Sequence, residues 1–404
     1  MSGVTLNDAF FDSLSTSTLS LDRAETLPPA CYTDAGFYEF EKEALFNHEW
    51  LCVGRESWVK EPGDYFTTQI IGEPIVVCRT RKHELKAMSS VCQHRGMLVA
   101  EGRGNTRGFV CPYHHWVYGL NGELINAPAM ERTCDFDKKQ VRLPTFQVEV
   151  WLGFIFINFD LAAAPLAPRL AAVAEALAPY DLAAADEAGP PFTASWGWNW
   201  KVMFENNNDG YHANKLHHGP LHDFVPSELA SFPPAEPTDA GFLRFNGTTH
   251  PDASFNPTQK AVLPVFPKLT DEDRNRATFA NVPPTLSLVL TSDLVIFLIL
   301  RATGPESLDQ DVGLLVAPGA AEDPAFPHRL EMITTSANKI IAQDMHVDAQ
   351  VQMGLRSRFA VRGRYSWQEG AQGQFNQWAV LRYQDAWRRL NGPPARAARP
   401  AAVA

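Results

Sequence analysis

The sequence predicts an α+β protein: a small all-β domain, then a larger domain mixing helices with buried strands. Between Trp58 and Asn158, short β-branched or aromatic segments alternate with glycine turns. After Pro191, a helix through Asn199–His217 and another over about 336–355 flank apolar strand segments. The length of 404 residues suits two or three domains.

In order, residues 1–30 are polar and rich in Ser and Thr, which predicts a loosely held arm. Thr33 or Asp34 caps a helix running to about Trp50, with Phe37, Phe40, Ala44 and Phe46 as its apolar stripe. Strands are expected at Tyr65–Ile71, Ile75–Arg79, Leu85–Ser89 and Phe154–Asn158, turned at Gly63, Gly72, Gly108, Gly119 and Gly122. Ala162–Ala188 is rich in Ala and Leu and reads as a linker with one short helix. Strands near Leu286–Leu290 and Leu294–Arg301 precede the 336–355 helix. There Leu288, Leu290, Val295, Phe297 and Ile299 alternate among apolar neighbours, so periodicity leaves open which face borders a pocket. The expected division is 1–40 arm and helix start, 41–160 β domain, 161–194 linker, 195–390 second domain and 391–404 disordered tail.

The net charge of −11 argues against a nucleic-acid partner, because phosphate binding needs basic patches. No apolar run approaches the roughly 20 residues of a membrane helix, and the first residues lack a secretory pattern. Six cysteines in this length do not make a disulfide scaffold; thiolate metal ligands in a cytoplasmic protein fit better.

Two clusters carry chemistry. In the β domain, Cys92-Gln-His94-Arg-Gly is followed by Cys111-Pro-Tyr-His114-His-Trp116, with 16 residues between His94 and Cys111. Zinc is one reading. Structural zinc sites, however, usually pair cysteine with cysteine and histidine with histidine at short spacing. Here each loop supplies one of each, which suits a cluster with two thiolates on one iron and two imidazoles on the other. In the second domain, Asp209, His212 and His217 lie within nine residues. Glu205, Asp209 and His212 share one helix face, but His217 falls about 140° from His212 on an ideal helix. A break near Ala213–Leu216 is needed to bring both rings to one metal. Two histidines and a carboxylate with open positions suit O2-activating Fe(II). His115, His218, His222 and His250 are assigned no chemistry.

The first pair of loops closely resembles the Rieske [2Fe–2S] motif. Asn199-Trp-Lys, Glu205-Asn and Asp209-x-x-His-x-x-x-x-His resemble the signature of Rieske non-haem iron oxygenase α subunits. The resemblance spans most of residues 35–385. It implies a Rieske domain plus a helix-grip-like catalytic domain with an antiparallel sheet flanked by helices. It implies Cys92 and Cys111 on one iron of the cluster, and His94 and His114 on the other. His212 and His217 would bind the mononuclear iron with Asp344, which stands eight residues before Gln352-Met-Gly-Leu355. Asp348 is the alternative third ligand, because Gln343 and Ala349 depart from the family's acidic pattern. By the same resemblance Asp209 bridges a cluster histidine of one subunit to the iron histidine of the next, which requires a ring and predicts a homotrimer. The resemblance further implies O2 as co-substrate and electrons from NAD(P)H through a separate reductase, with or without a ferredoxin. The substrate expected first is a small aromatic, with or without a carboxylate. The alternative is an N- or O-methyl group, quaternary amines included. A reading from another class is an electron carrier or zinc scaffold in which His212 and His217 are structural.

Overall fold

The computed structural model describes residues 4–219 and 221–392. The tail expected to be disordered lies outside the described residues from 393 onward.

Two large antiparallel sheets organise the chain. The first has seven strands in the order Leu51–Arg55, Phe154–Asn158, Thr145–Trp151, Leu85–Ser89, Glu73–Arg79, Asp64–Ile70 and Arg103–Asn105. A small sheet of Phe109–Val110, Val117–Tyr118 and Leu124–Asn126 accompanies it. Between them lies a core that includes Met88, Phe109, Trp116, Tyr118 and the two motif cysteines. The glycine-punctuated pattern therefore located these strands well; Leu85–Ser89 and Phe154–Asn158 have the expected bounds.

The second sheet has eight strands, centred on Arg276–Val282, Leu286–Leu290, Val295–Gly304 and Ser307–Val316. Phe242–Gly247 pairs with Arg276–Val282. Three helices pack around this sheet: Trp200–Asn208, Phe326–Leu355 and Gly370–Asn391. The second of these begins ten residues before its expected start, with a proline in its first turn where the lost N–H costs nothing.

Three expectations need correction. The linker assigned to 161–194 is not mere connection. Leu166, Leu170, Val173 and Leu177 are buried in the second core, and Asp186–Glu187 and Phe192–Trp196 pair with Ser307–Val316. The N-terminal arm is packed, not loose. Phe11 stacks on Trp387 at 4.3 Å, and Leu14 is buried. Arg362 donates hydrogen bonds to the Ser13 and Thr26 carbonyls. Its Ser and Thr content hid a short amphipathic helix, Asp8–Ser13, capped by Asn7. Finally, the helix capped by Asp34 is α-helical only over Ala35–Glu41 and continues as a π turn through Phe46.

The Asn-Trp-Lys segment anchors the site helix. Asn199 caps it, and Gln352 accepts the Asn199 N–H at 2.9 Å. Lys201 Nζ lies 2.8 Å from Glu41 in a fully buried pair, and Trp200 Nε1 donates to the same carboxylate at 2.9 Å. A buried ion pair fixes geometry more than it adds stability. At the other end Asn281 donates to Asn208, and Ser287 donates to Asn281 at 2.7 Å, tying the helix to the sheet.

Candidate metal centres and substrate cavity

The site helix ends at Asn208, five residues before the expected break at Ala213. Asp209 is extended, and a single 3-10 turn follows at His212–Asn214. This early break lets the two histidine rings converge, with centroids 4.9 Å apart at 77°. Asp344 reaches them from the long helix. Its Oδ1 lies 2.8 Å from His217 Nε2 and 3.6 Å from His212 Nε2. Ligand atoms of His212, His217 and Asp344 all lie within 4.8 Å of one another. Asp348, one helical turn further on, is not in that group. Despite the short distance to His217, Asp344 Oδ1 is buried without an aligned hydrogen-bond partner. Donors that crowd together yet fail to bond to each other fit a common metal ion, and the set is the two-histidine, one-carboxylate set of O2-activating Fe(II).

The outer nitrogens of both rings are held. Asp209 Oδ2 lies 3.1 Å from His212 Nδ1, and Gln343 Oε1 lies 3.0 Å from His217 Nδ1. Each contact leaves Nε2 facing Asp344, where a metal could meet it, and fixes the ring's orientation. Burial works against the Asp209 carboxylate, but His212, the Tyr211 N–H and Arg244 together hold it below its ordinary range. Burial would likewise lower the His217 imidazole, but Asp344 and Gln343 raise it. Gln343 was read from sequence only as a departure from an acidic pattern; here it is a positioning group.

In the β domain the two motif loops share one construction. The N–H of Gly96 bonds the Cys92 carbonyl at 3.0 Å, and that of His115 bonds the Cys111 carbonyl at 3.0 Å. Both acceptances close a turn whose last residue is left-handed, φ 77° at Gly96 and 57° at His115. This backbone role explains His115 without chemistry. His94 and His114 face each other, Nδ1 to Nδ1 at 3.1 Å, and Trp116 stacks on His94 at 4.8 Å. Cys92 and Cys111 are buried and unoxidised beneath them. A single tetrahedral zinc would draw its four ligand atoms to within ~4 Å of one another. Cys92, His94, Cys111 and His114 form no such tight group among the described residues. They fit a wider, two-iron cluster with thiolates inside and imidazoles outward.

Beside His212 and His217 opens a cavity of about 360 Å³. Its apolar lining includes Met203, Leu221, Val225, Phe255 and Ile340. From the sheet come Val289, Ile296 and Leu298. These are the residues of opposite parity to Leu288, Phe297 and Ile299, which fill the core on the other face. The volume suits a small organic molecule.

Residues 184–385 match the ring-hydroxylating α subunit catalytic domain, half of the chain. Residues 49–147 match the Rieske [2Fe–2S] domain. The chain belongs to the Rieske non-haem iron oxygenases, as an α subunit. The family carries a Rieske cluster and a mononuclear iron, and uses O2 with reductase-supplied electrons. The carnitine monooxygenase oxygenase subunit of Acinetobacter baumannii is 36% identical over 204 residues, covering 49% of this chain and 54% of that protein. The glycine betaine monooxygenase oxygenase subunit of Pseudomonas aeruginosa is 34% identical over 199 residues, covering 49% and 46%. The chain thus spans about half the length of the curated relatives it matches. A solved quaternary ammonium Rieske monooxygenase, described with carnitine oxidation by gut microbiota and inter-subunit electron transfer, has a TM-score of 0.77. It is 25% identical, covering 95% of this chain and 99% of the other. No helix among the described residues is long and apolar enough to cross a membrane.

Proposed function

We propose that this chain is the terminal oxygenase component of a monooxygenase acting on a small quaternary ammonium compound. The observation that carries the oxygenase reading is the convergence of His212, His217 and Asp344 at the end of an apolar cavity. The substrate class rests on the relatives, which are named for carnitine and glycine betaine. They favour the methyl-group alternative over the aromatic substrate expected first. Residues 41–160 form the electron-relay unit, and the catalytic unit begins near Asp186, where its sheet begins.

In this reading Cys92, Cys111, His94 and His114 hold the cluster, and His212, His217 and Asp344 hold the iron. When bound, the cluster supplies one-electron transfer and the iron supplies O2 activation. The protein does the rest. Asp209 and Gln343 lock the imidazole tautomers. Apolar walls exclude water and would hold the substrate beside His212, His217 and Asp344. Asp209 also bridges toward a cluster histidine of a neighbouring chain, in a homotrimer fed by a separate reductase. A relative described with inter-subunit electron transfer supports this arrangement.

Metal analysis and product assays test the reading together. The expected content is about three irons per chain, two in the cluster and one at the triad. With a surrogate reductase, a hydroxylated or dealkylated product is expected from a quaternary amine. Organic product is scored because oxygen loss also reports uncoupled turnover. Zinc in place of iron, or full turnover with two irons, overturns the oxygenase reading. Product from aromatic substrates alone overturns the substrate class.

A further inference from the structure

Among the described residues three arginines are buried: Arg55, Arg244 and Arg301. Arg301 is paired with the Asp311 carboxylate through two nitrogens. Arg55 donates to the Leu182 carbonyl at 2.9 Å and to the Leu152 carbonyl at 3.2 Å. Arg244 is the exception. It is 4% exposed, and it makes no ion pair and no side-chain hydrogen bond among the described residues. An unpaired buried cation is strongly unfavourable unless something outside the chain completes it.

Its position says what that something is. Arg244 projects from strand Phe242–Gly247 into the cavity wall shared with His212 and Asp344. Its guanidinium lies 3.6 Å from the Phe279 ring centroid, a stacking that fixes the plane. Room for it is kept by Gly210, where a Cβ would sit 2.6 Å from Nη1. Burial lowers its pKa to about 10, partly opposed by Asp209, so it stays charged at neutral pH. Asp209 acts on it only at a distance; its oxygens are given to His212 and to the Tyr211 N–H. A planar cation with unused parallel donors is a receptor for a planar oxyanion.

We propose that Arg244 binds the carboxylate of the substrate, so that the molecule held beside the iron is a quaternary ammonium carboxylate and not a simple cationic amine. This rests on the cavity being the substrate site. The carboxylate completes Arg244 at one end. The ammonium end then occupies the apolar remainder of the cavity, with its methyl groups beside His212 and Asp344.

The test is binding, by calorimetry on the iron-loaded enzyme without reductant, of matched pairs. These are glycine betaine and γ-butyrobetaine, each against its primary amide, and benzoate against benzamide. Wild-type enzyme is expected to prefer a carboxylate over its amide by about 10- to 100-fold, the range of a charge-assisted pair. Arg244→Met is expected to erase that preference, with amide affinity and iron content little changed, and Arg244→Lys to restore part of it. In turnover the loss falls on KM. Equal wild-type affinity for acid and amide in every pair, absence of binding included, overturns the proposal. So does equal weakening of acid and amide in Arg244→Met, which marks a role through Asp209. If Arg244→Met does not fold, the wild-type preference and Arg244→Gln decide. Discrimination in the benzoate pair alone keeps Arg244 and discards the quaternary ammonium substrate.

Discussion

Gln343 Oε1 lies 3.0 Å from His217 Nδ1 and fixes the ring that meets Asp344 from its other side. A neutral amide here orients the imidazole without adding a second negative charge beside Asp344. Gln343→Leu removes the acceptor but keeps the bulk. Partners of this kind are worth about 10- to 100-fold in metal affinity. Iron at the triad is therefore expected to dissociate more readily in a chelator titration of Gln343→Leu, with the cluster absorbance unchanged. Unaltered iron retention would remove Gln343 from the site.

Asp344 and Asp348 are one turn apart on the same helix, yet only Asp344 joins the two histidines. Asp344→Ala is expected to lose the mononuclear iron, about one of three per chain, and all product. Asp348→Asn keeps it, because Asp348 is buried with one oxygen unpartnered and faces the site only electrostatically. Loss of one iron in Asp348→Asn with retention in Asp344→Ala would exchange their roles.

What the sequence made legible was the chemistry carried by contiguous motifs. Cys92, His94, Cys111 and His114 sit on two short loops, and His212 and His217 lie five residues apart, so local spacing was enough to propose them as ligands. Gln343 and Arg244 were missed because their meaning is non-local. Arg244 is a lone charge in Phe-Leu-Arg-Phe-Asn, and alternation places it with Phe242 and Asn246 without saying what that face meets. The same limit applied to Val289 and Ile296, since both faces of their strands are apolar. The packed arm was missed for a different reason: Phe10, Phe11 and Leu14 are sparse among polar residues, and their partner Trp387 lies far along the chain.

Tyr118 Oη lies 3.3 Å from Cys92 Sγ and accepts the Gln93 N–H at 3.0 Å. With Cys92 as a thiolate, the phenol donates to sulfur and favours the reduced, more negative cluster. Removing a hydrogen bond of net ~1 kcal/mol corresponds to about 40 mV for one electron. Tyr118→Phe is expected to lower the cluster potential by about that much in a redox titration. A rise, or no change, would mean that the hydroxyl serves the backbone alone.

Glu205 accepts from Tyr32 Oη at 2.6 Å, and burial pushes its carboxyl up to about 7. The folded pKa lies above the unfolded value, so this group's contribution is full below about pH 4.5 and is lost as pH rises through about 7. The loss is bounded by ~3 kcal/mol. Glu205→Gln keeps an acceptor for Tyr32 and removes the titration. Its Tm should match wild type near pH 5 and exceed it increasingly toward pH 8. A gap that does not widen with pH would contradict the assignment.

Asp209 does two things in the proposed enzyme, and one substitution separates them. Within the chain its carboxylate holds His212 Nδ1 at 3.1 Å and accepts the Tyr211 N–H at 2.7 Å. Asn at this position keeps one acceptor for these contacts, so iron loading at His212, His217 and Asp344 should survive. The second role needs a charged group that also accepts from a cluster imidazole of a neighbouring chain, which a neutral amide supports poorly. In Asp209→Asn the cluster should still be reduced by the reductase at the normal rate, while product formation falls by 10-fold or more, the order of one charge-assisted hydrogen bond. Stopped-flow absorbance separates the two steps: fast bleaching of the cluster, then slow reoxidation under O2 with substrate present. Sedimentation of the wild type at three chain masses is the accompanying expectation. Full turnover in Asp209→Asn with both metal sites loaded, or a monomeric wild type that is fully active, would sink the bridge.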